Sequence, residues 1–120
     1  MSANGEYSIL NADEIREPLM KGEIALVDVR EPAEFAGERI HGAFLFPLST
    51  FDPKTLPAYS ASQIVFHCGS GMRSGKALEL CRAAGVPVKG HMMGGLKAWK
   101  AQGLPTITID PATGKVRDPK

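Results

Sequence analysis

The chain has 120 residues, of which 43% are hydrophobic and 22% charged, and its formal net charge is +1. This length and composition suit one folded domain and exclude a disordered chain. The near-zero charge gives no electrostatic reason to expect a nucleic acid or membrane surface as partner, and no apolar run approaches the roughly 20 residues of a membrane span.

Strand-like and helix-like segments alternate along the sequence with short links between them. In chain order they are a strand at residues 7–9, a helix capped by Asn11 and ending near Lys21, a strand at 24–27, a short helix from Pro32 through Phe35, a strand at 43–46, a strand at 64–67, a helix at 73–84, a strand at 86–91 interrupted by Pro87 and a helix at 95–102.

Several local signals support these elements. Asn11 followed by Glu14 is the pattern of a helix capping box, and Pro32 suits the first turn of a helix. The near-continuous apolar run at 24–27 is typical of a strand that is buried on both faces of a parallel sheet. The prolines within residues 47–62 predict mostly loop, with room for one helical turn.

The two later helices are predicted to be amphipathic. In the first, the side chains of Ala77, Leu78, Cys81 and Ala84 are expected to face inward, and Gly85 closes the helix. In the second, Leu96 and Trp99 are expected to face the core, and Gly103 ends the helix.

This alternation predicts an α/β fold with a central, mostly parallel five-stranded sheet and helices on both faces. We expect residues 1–7 to be an N-terminal extension, residues 8–105 the domain, and residues 106–120 a C-terminal tail. Within the tail, residues 106–109 are expected to form an edge strand, and residues 110–120 to be exposed and mobile.

The stretch FHCGSGMRS at 66–74 is the strongest candidate for a functional site. Cys68 follows a predicted strand, and ligands of parallel sheets bind beyond the carboxyl ends of strands. The next residues, Gly69, Ser70, Gly71 and Met72, can turn their backbone N–H groups inward to form an anion-binding concavity. The following helix N-terminus adds a positive dipole end, which lowers a thiol pKa from about 8.5 to roughly 3.5–7.5 in known cases. The sequence therefore predicts a nucleophilic Cys68 thiolate, with Arg73 available to pair with an anionic substrate, rather than an inert buried thiol.

Two phosphate-binding interpretations fit this loop poorly. Gly69 and Gly71 match the start of a dinucleotide-binding glycine pattern, but Ser74 stands where its last glycine belongs. Residues 70–77 approach a P-loop, but the first glycine is a serine and the Ser/Thr that would bind Mg²⁺ is Ala77.

Four stretches together resemble the signatures of single-domain rhodaneses, which are sulfurtransferases. They are LVDVREPAEF at 26–35, ERIHGAFLFPL at 38–48, CGSGMRS at 68–74 and GGLKAWKAQGLP at 94–105. The resemblance covers roughly residues 8–105. The chain departs from the family pattern at Arg39, where histidine is usual, and at His41, where proline is usual.

The resemblance implies a mechanism and a role for each site residue. Cys68 would take the outer sulfur of thiosulfate or a similar donor as a persulfide and pass it to cyanide or a thiol. The loop amides from Gly69 to Arg73 would stabilise the persulfide, and Arg73 would orient the donor. Asp28 and Arg30 would be structural residues close to the loop. No metal and no organic cofactor would be needed.

Two other functions stay open on this fold. Related phosphatases and arsenate reductases resemble a Cys-x5-Arg loop, whereas Cys68 and Arg73 bound the shorter Cys-x4-Arg. The protein could instead carry persulfide sulfur to a partner protein, or serve as an interaction module. The expected partners are therefore a small-molecule donor and a thiophilic acceptor, with a protein acceptor as the alternative, and the chain is expected to be a monomer.

The remaining candidates are assigned structural roles. His67 is expected to point away from the Cys68 side chain and to be packed in the interior, because neighbouring strand residues face opposite ways. His41 and His91 have no metal-ligand spacing and are expected on the surface or in loops. Met92 and Met93 are expected in the core, although a place at the pocket mouth is open to them.

The expected location is the cytoplasm. Cys68 and Cys81 are too few for a disulfide scaffold, and the first residues lack the pattern of a secretory signal.

Overall fold

The computed structural model describes residues 7–56 and 63–119. The strands are β1 (Ser8–Leu10), β2 (Ala25–Asp28), β3 (Glu38–Arg39), β4 (Phe44–Leu45), β5 (Ile64–His67), β6 (Gly90–Met92), β7 (Ile107–Ile109) and β8 (Val116–Arg117). The helices are α1 (Ala12–Met20), α2 (Pro32–Gly37), α3 (Met72–Ala84) and α4 (Gly95–Ala101), and two 3-10 turns occupy Leu48–Thr50 and Pro53–Thr55.

The central sheet has five strands in the order β1-β6-β5-β2-β4, and every pair in it is parallel. Each of these strands corresponds to one of the five that the sequence predicts, and the α/β fold is confirmed. All residues of β2 and β5 are buried, which explains the continuous apolar runs at these two positions.

Two hydrophobic cores cover the two faces of this sheet. On one face, Phe66 of β5 packs with Ala77 and Cys81 of α3. On the other face, Val65 packs with Ile15 of α1 and Trp99 of α4. Alternation along β5 therefore sends successive side chains to opposite cores.

The inward orientation expected for α3 is wrong at its last residue. Ala77, Leu78 and Cys81 are buried, but Ala84 is exposed. Gly85 turns the chain with φ at +70°, and Val86, the next residue, packs against this core. The turn at Gly85 thus places Val86, which is larger than Ala84 and lies outside the helix, against this core.

The C-terminal segment also differs from the sequence prediction. β7 does not lie at the edge of the central sheet but forms a second, antiparallel sheet between β3 and β8. Residues 110–119 are exposed as expected, yet Val116–Arg117 is paired as a strand, because a tight turn brings Gly114 N–H to 2.7 Å from Asp110 O. His41, exposed as expected, also contacts this segment through Asp118, 2.8 Å from its Nδ1.

Several predictions fall partly outside the described residues. These are residues 1–6 of the N-terminal extension, residues 57–62 of the proline-rich loop and Lys120. Within the described ranges, none of the helices has the length and apolarity to cross a membrane.

Candidate active site

Cys68 directly follows β5 and is buried at the carboxyl end of the central sheet. The chain then passes through Gly69, Ser70 and Gly71 into α3. Gly71 has a φ of +105°, a conformation that side-chain-bearing residues rarely adopt. The tight turn at Gly71 aims the first amides of α3 back toward the sulfur.

The Cys68 sulfur is surrounded by hydrogen-bond donors of this loop. Gly71 N–H donates to Sγ at 3.0 Å, Ser74 N–H donates at 3.4 Å, and the Ser74 hydroxyl oxygen lies 3.7 Å away. Burial raises the pKa of the thiol, but hydrogen bonds from the amides of Ser74, Gly71 and Ser70 and from the Ser74 hydroxyl outweigh this, so the pKa is lowered overall. The loop therefore favours a thiolate at Cys68.

The second cysteine has the opposite environment. Cys81 lies on the buried side of α3, in the hydrophobic core, and burial alone raises its pKa to about 11. The two thiols therefore differ in the direction of their pKa shifts, and the environment of Cys68 is the one that favours a thiolate.

Helix α4 holds the active loop, residues 68–73, in place through backbone hydrogen bonds. Leu96 N–H donates to Cys68 O at 2.7 Å, and Lys97 N–H donates to Gly69 O at 3.1 Å. A Cβ on Gly95 would lie 2.3 Å from Cys68 O, so only glycine permits this approach. The stretch GGLKAWKAQGLP at 94–105, the last of the four that resemble the family, thus anchors the loop backbone.

Arg73 lies beside the loop but is engaged by α2. Its guanidinium forms two hydrogen bonds with the Glu34 carboxylate, at 2.6 and 3.0 Å. The Arg73 contact is the main cause that lowers the pKa of Glu34, to about 2. The residue expected to orient an anionic donor is therefore already neutralised by a partner that sequence reasoning missed.

Asp28 and Arg30 form a buried ion pair below the loop. The Arg30 guanidinium reaches Asp28 Oδ2 at 2.8 Å, and His67 Nε2 lies 3.4 Å from the same oxygen without a well-formed hydrogen bond. Burial raises the pKa of Asp28, but the contacts with His67 and Arg30 outweigh this and lower it to about 2. His67 is fully buried as predicted, and its Nδ1 lies 3.2 Å from Cys68 O. This network links the end of β2 to the start of the active loop.

The surface or loop position expected for His91 is wrong. His91 lies in β6, partly buried, with its Nδ1 2.8 Å from Ser74 Oγ. Its register partner in β5 is Phe66, two residues before Cys68, so His91 and Cys68 share one face of the sheet. This strand register brings the imidazole to the active loop.

The rim of the site carries two exposed methionines. Met72, at the start of α3, is 83% exposed, and Met93, just after β6, is 52% exposed, whereas Met92 is fully buried. The core placement expected for the methionines is therefore right for Met92 and wrong for Met93. Where β6 ends, the alternation of the strand turns Met92 inward and Met93 outward.

The described residues contain no group of three or more His, Cys, Asp or Glu side chains that could hold a metal ion. The expectation that the chemistry needs no metal or cofactor stays a prediction.

Comparisons with known proteins agree with this architecture. An uncharacterized protein of Synechocystis is 50% identical over 84 residues, which are 70% of this chain and 47% of that protein. A protein of Allochromatium vinosum named sulfurtransferase is 31% identical over 71% of this chain and 79% of its own length. The solution structure of a rhodanese-like domain from Anabaena has a TM-score of 0.74 at 26% identity, covering 92% of this chain and 89% of that one.

The chain spans about half of the Synechocystis protein and about a quarter of a probable adenylyltransferase/sulfurtransferase of Mycobacterium tuberculosis. The model of the rhodanese-like domain family matches residues 11–102, which include every part of the site described above. The chain belongs to the rhodanese-like domain family.

Proposed function

We propose that the protein is a sulfurtransferase that moves a sulfane sulfur from thiosulfate, or a similar donor, to a thiophilic acceptor through a persulfide on Cys68. The observation that carries the proposal is the hydrogen-bonding environment of the Cys68 sulfur. The sulfur accepts hydrogen bonds from the backbone amides of Gly71 and Ser74. A sulfur anion held by preorganised amides is both a nucleophile and a stabilised product.

In the first half-reaction, the Cys68 thiolate attacks the outer sulfur of thiosulfate. A new S–S bond forms, the bond between the two donor sulfurs breaks, and sulfite leaves with that electron pair. The outer sulfur of the persulfide then carries the negative charge, and the N–H groups at the start of α3 stabilise it.

In the second half-reaction, a thiophilic acceptor attacks the outer sulfur of the persulfide. With cyanide, a C–S bond forms, the S–S bond breaks, and Cys68 returns as a thiolate. The two half-reactions share one covalent intermediate, so we expect ping-pong kinetics. No step needs an electron carrier or a metal.

A phosphatase reaction fits the loop less well. The loop from Cys68 to Arg73 contains six residues, and three groups of Gly71 and Ser74 already converge on the sulfur within 3.7 Å. This small concavity suits one added sulfur atom better than a tetrahedral phosphate. Hydrolysis of an aryl phosphate at a rate comparable to sulfur transfer would reverse this preference.

A second candidate, a persulfide carrier for a partner protein, is favoured by the exposed methionines. Met72 and Met93 provide an apolar, adaptable rim beside the loop, and Arg73 is neutralised by Glu34. Such a rim suits a protein-borne thiol better than a free dianion. Faster sulfur transfer to a protein thiol than to cyanide would favour this role.

The test combines intact mass with turnover. Wild-type protein and Cys68→Ser are each incubated with thiosulfate and weighed, and thiocyanate release is then followed with cyanide. The proposal expects a gain of one sulfur atom and thiocyanate release for the wild type alone. A mass gain without turnover supports the carrier, and the absence of both contradicts thiosulfate as donor.

A further inference from the structure

His91 is a partly buried histidine that the sulfur-transfer steps above do not use. Its Nδ1 lies 2.8 Å from Ser74 Oγ, and Ser74 Oγ lies 3.7 Å from Cys68 Sγ. The Ser74 oxygen thus joins the imidazole and the sulfur in a continuous chain of hydrogen-bonding groups.

We infer that His91 is a positioning residue that controls the protonation of Cys68 through Ser74. The Cys68 proton passes to Ser74 Oγ while the Ser74 proton passes to His91 Nδ1. The serine stays neutral, and the products are a Cys68 thiolate and a His91 imidazolium. The inference rests on the proposed function for its purpose, but the proton transfer itself involves no sulfur donor.

The hydroxyl of Ser74 forces this coupling because it has only one proton for three neighbours. Gly71 O, 3.1 Å away, can only accept that proton, whereas His91 Nδ1 and Cys68 Sγ can each donate or accept. When His91 Nδ1 carries no proton, the Ser74 proton points to Nδ1 or to Gly71 O, and the sulfur lacks the hydrogen bond from the Ser74 hydroxyl, so its thiolate is less stabilised.

When His91 Nδ1 carries a proton, the hydrogen bonds reverse. The imidazole then donates to Ser74 Oγ, and the Ser74 proton becomes available to the sulfur, which is stabilised as a thiolate. The protonation of His91 therefore favours the loss of the proton from Cys68, and the reverse must hold to the same extent.

The described residues that pack against the His91 ring are not ionisable, so the protonation of His91 is coupled to that of Cys68. Its register partners are Phe66 of β5 and Ile9 of β1, and Gly75 of α3 packs near its ring. Burial is the cause that lowers the pKa of His91. A neutral imidazole at neutral pH is the form that can accept the proton.

The charged residues on the elements packed against His91 have other environments. Arg73 is paired with Glu34, and Lys76 is exposed to solvent. His67 of β5 lies one residue before Cys68, with its Nε2 3.4 Å from Asp28 Oδ2. The chain through Ser74 is thus the direct route between His91 and another ionisable group.

The first experiment measures the alkylation rate of Cys68 by iodoacetamide against pH, with site-resolved mass spectrometry, in the wild type and His91→Asn. Asparagine keeps a polar group near the position of Nδ1 but does not titrate. We expect alkylation near pH 6.5 to fall about tenfold, the effect of a one-unit rise in the thiol pKa, and the rate at high pH to stay unchanged. His41→Asn removes an exposed histidine and is expected to match the wild type.

A purely structural role of His91 gives a different result. It would lower the alkylation rate by a similar factor at every pH, and that outcome overturns the inference, as does a profile equal to the wild type. In Ser74→Ala the relay is broken, so adding His91→Asn is expected to change the profile no further.

The second experiment needs no substitution and follows the His91 ring by NMR titration, before and after Cys68 is blocked with iodoacetamide. We expect the imidazole to titrate at lower pH once the sulfur can no longer become an anion. An unchanged titration overturns the inference even if His91→Asn fails to fold. Both experiments omit thiosulfate, so a failure of the relay is distinguishable from a failure of the proposed sulfur transfer.

Discussion

The ion pair between Arg73 and Glu34 is expected to limit how well the site attracts an anionic donor. Replacing Glu34 with glutamine removes the charge that neutralises Arg73 but keeps the side-chain oxygen that accepts from the Glu31 amide at 2.9 Å. The freed guanidinium can then pair with the sulfonate end of thiosulfate. We therefore predict that Glu34→Gln increases kcat/KM for thiosulfate.

The size of this increase follows from the geometry and exposure of the pair. The two hydrogen bonds of 2.6 and 3.0 Å are bidentate, and the side chains are 37% and 40% exposed. Exposed ion pairs contribute about 0.2–1 kcal/mol, and a bidentate one belongs at the upper end. About 1 kcal/mol corresponds to about a fivefold gain in kcat/KM. Because the pKa of Glu34 is lowered to about 2, the pair persists at every practical assay pH.

The assay is thiocyanate formation with thiosulfate varied and cyanide saturating, at low and high salt. Glu31→Gln is the matched control, because it removes one negative charge nearby from a side chain that contacts Ser49 rather than Arg73. We expect no gain for Glu31→Gln, and a smaller gain for Glu34→Gln at high salt, where the donor charge is screened. An unchanged or reduced kcat/KM in Glu34→Gln would show that Arg73 needs its carboxylate partner to position the loop.

Three further predictions concern the thiols, the buried ion pair and the loop backbone. Iodoacetamide at pH 7 is expected to modify Cys68 and spare Cys81, whose pKa is about 11; equal labelling in peptide maps would contradict the proposed thiolate environment. Asp28→Asn leaves a buried guanidinium without its counter-charge and is expected to cost about 3–5 kcal/mol in urea unfolding. In the wild type the pKa of Asp28 is lowered from 3.8 to about 2. The Asp28 carboxylate therefore contributes its full share to the free energy of unfolding above pH 4 and loses it as the pH falls through 2. A free energy of unfolding that stays constant over this pH range would refute the prediction. Gly95→Ala is expected to lower the melting temperature and slow alkylation near neutral pH, because its Cβ would meet Cys68 O at 2.3 Å, whereas Gly37→Ala, with open space around it, should do neither.

The elements that the sequence predicts well are those whose signals are local. The runs at residues 24–27 and 64–66 are apolar because β2 and β5 are buried on both faces. The helix start near Asn11 is predicted by Glu14, whose carboxylate accepts from the Asn11 amide at 2.8 Å. Each of these signals lies within a few residues of the feature it predicts, so no long-range contact is needed to interpret it.

The features that the sequence does not reveal depend on contacts between distant residues. Glu34 and Arg73 are 39 positions apart, and Ser74 and His91 are 17 apart. Their contacts depend on where α2 and β6 lie relative to the loop, and no residue pattern within either segment carries that information. The same reason explains why β7 is misplaced at the sequence level, since its apolar alternation does not specify whether it pairs with the central sheet or with β3.

Three of the four signature stretches support the fourth, the loop that begins at Cys68, either directly or through residues next to it. The first stretch supplies Asp28, next to the buried His67, and Glu34, which engages Arg73. In the second, Glu38 O accepts from Arg30 and so holds that network in place. The last stretch supplies α4, whose first amides bond to Cys68 O and Gly69 O. A loop with the same seven residues but without these supports would lack the fixed amide geometry that lowers the thiol pKa, so the chemistry belongs to the whole edge of the sheet and not to the cysteine motif alone.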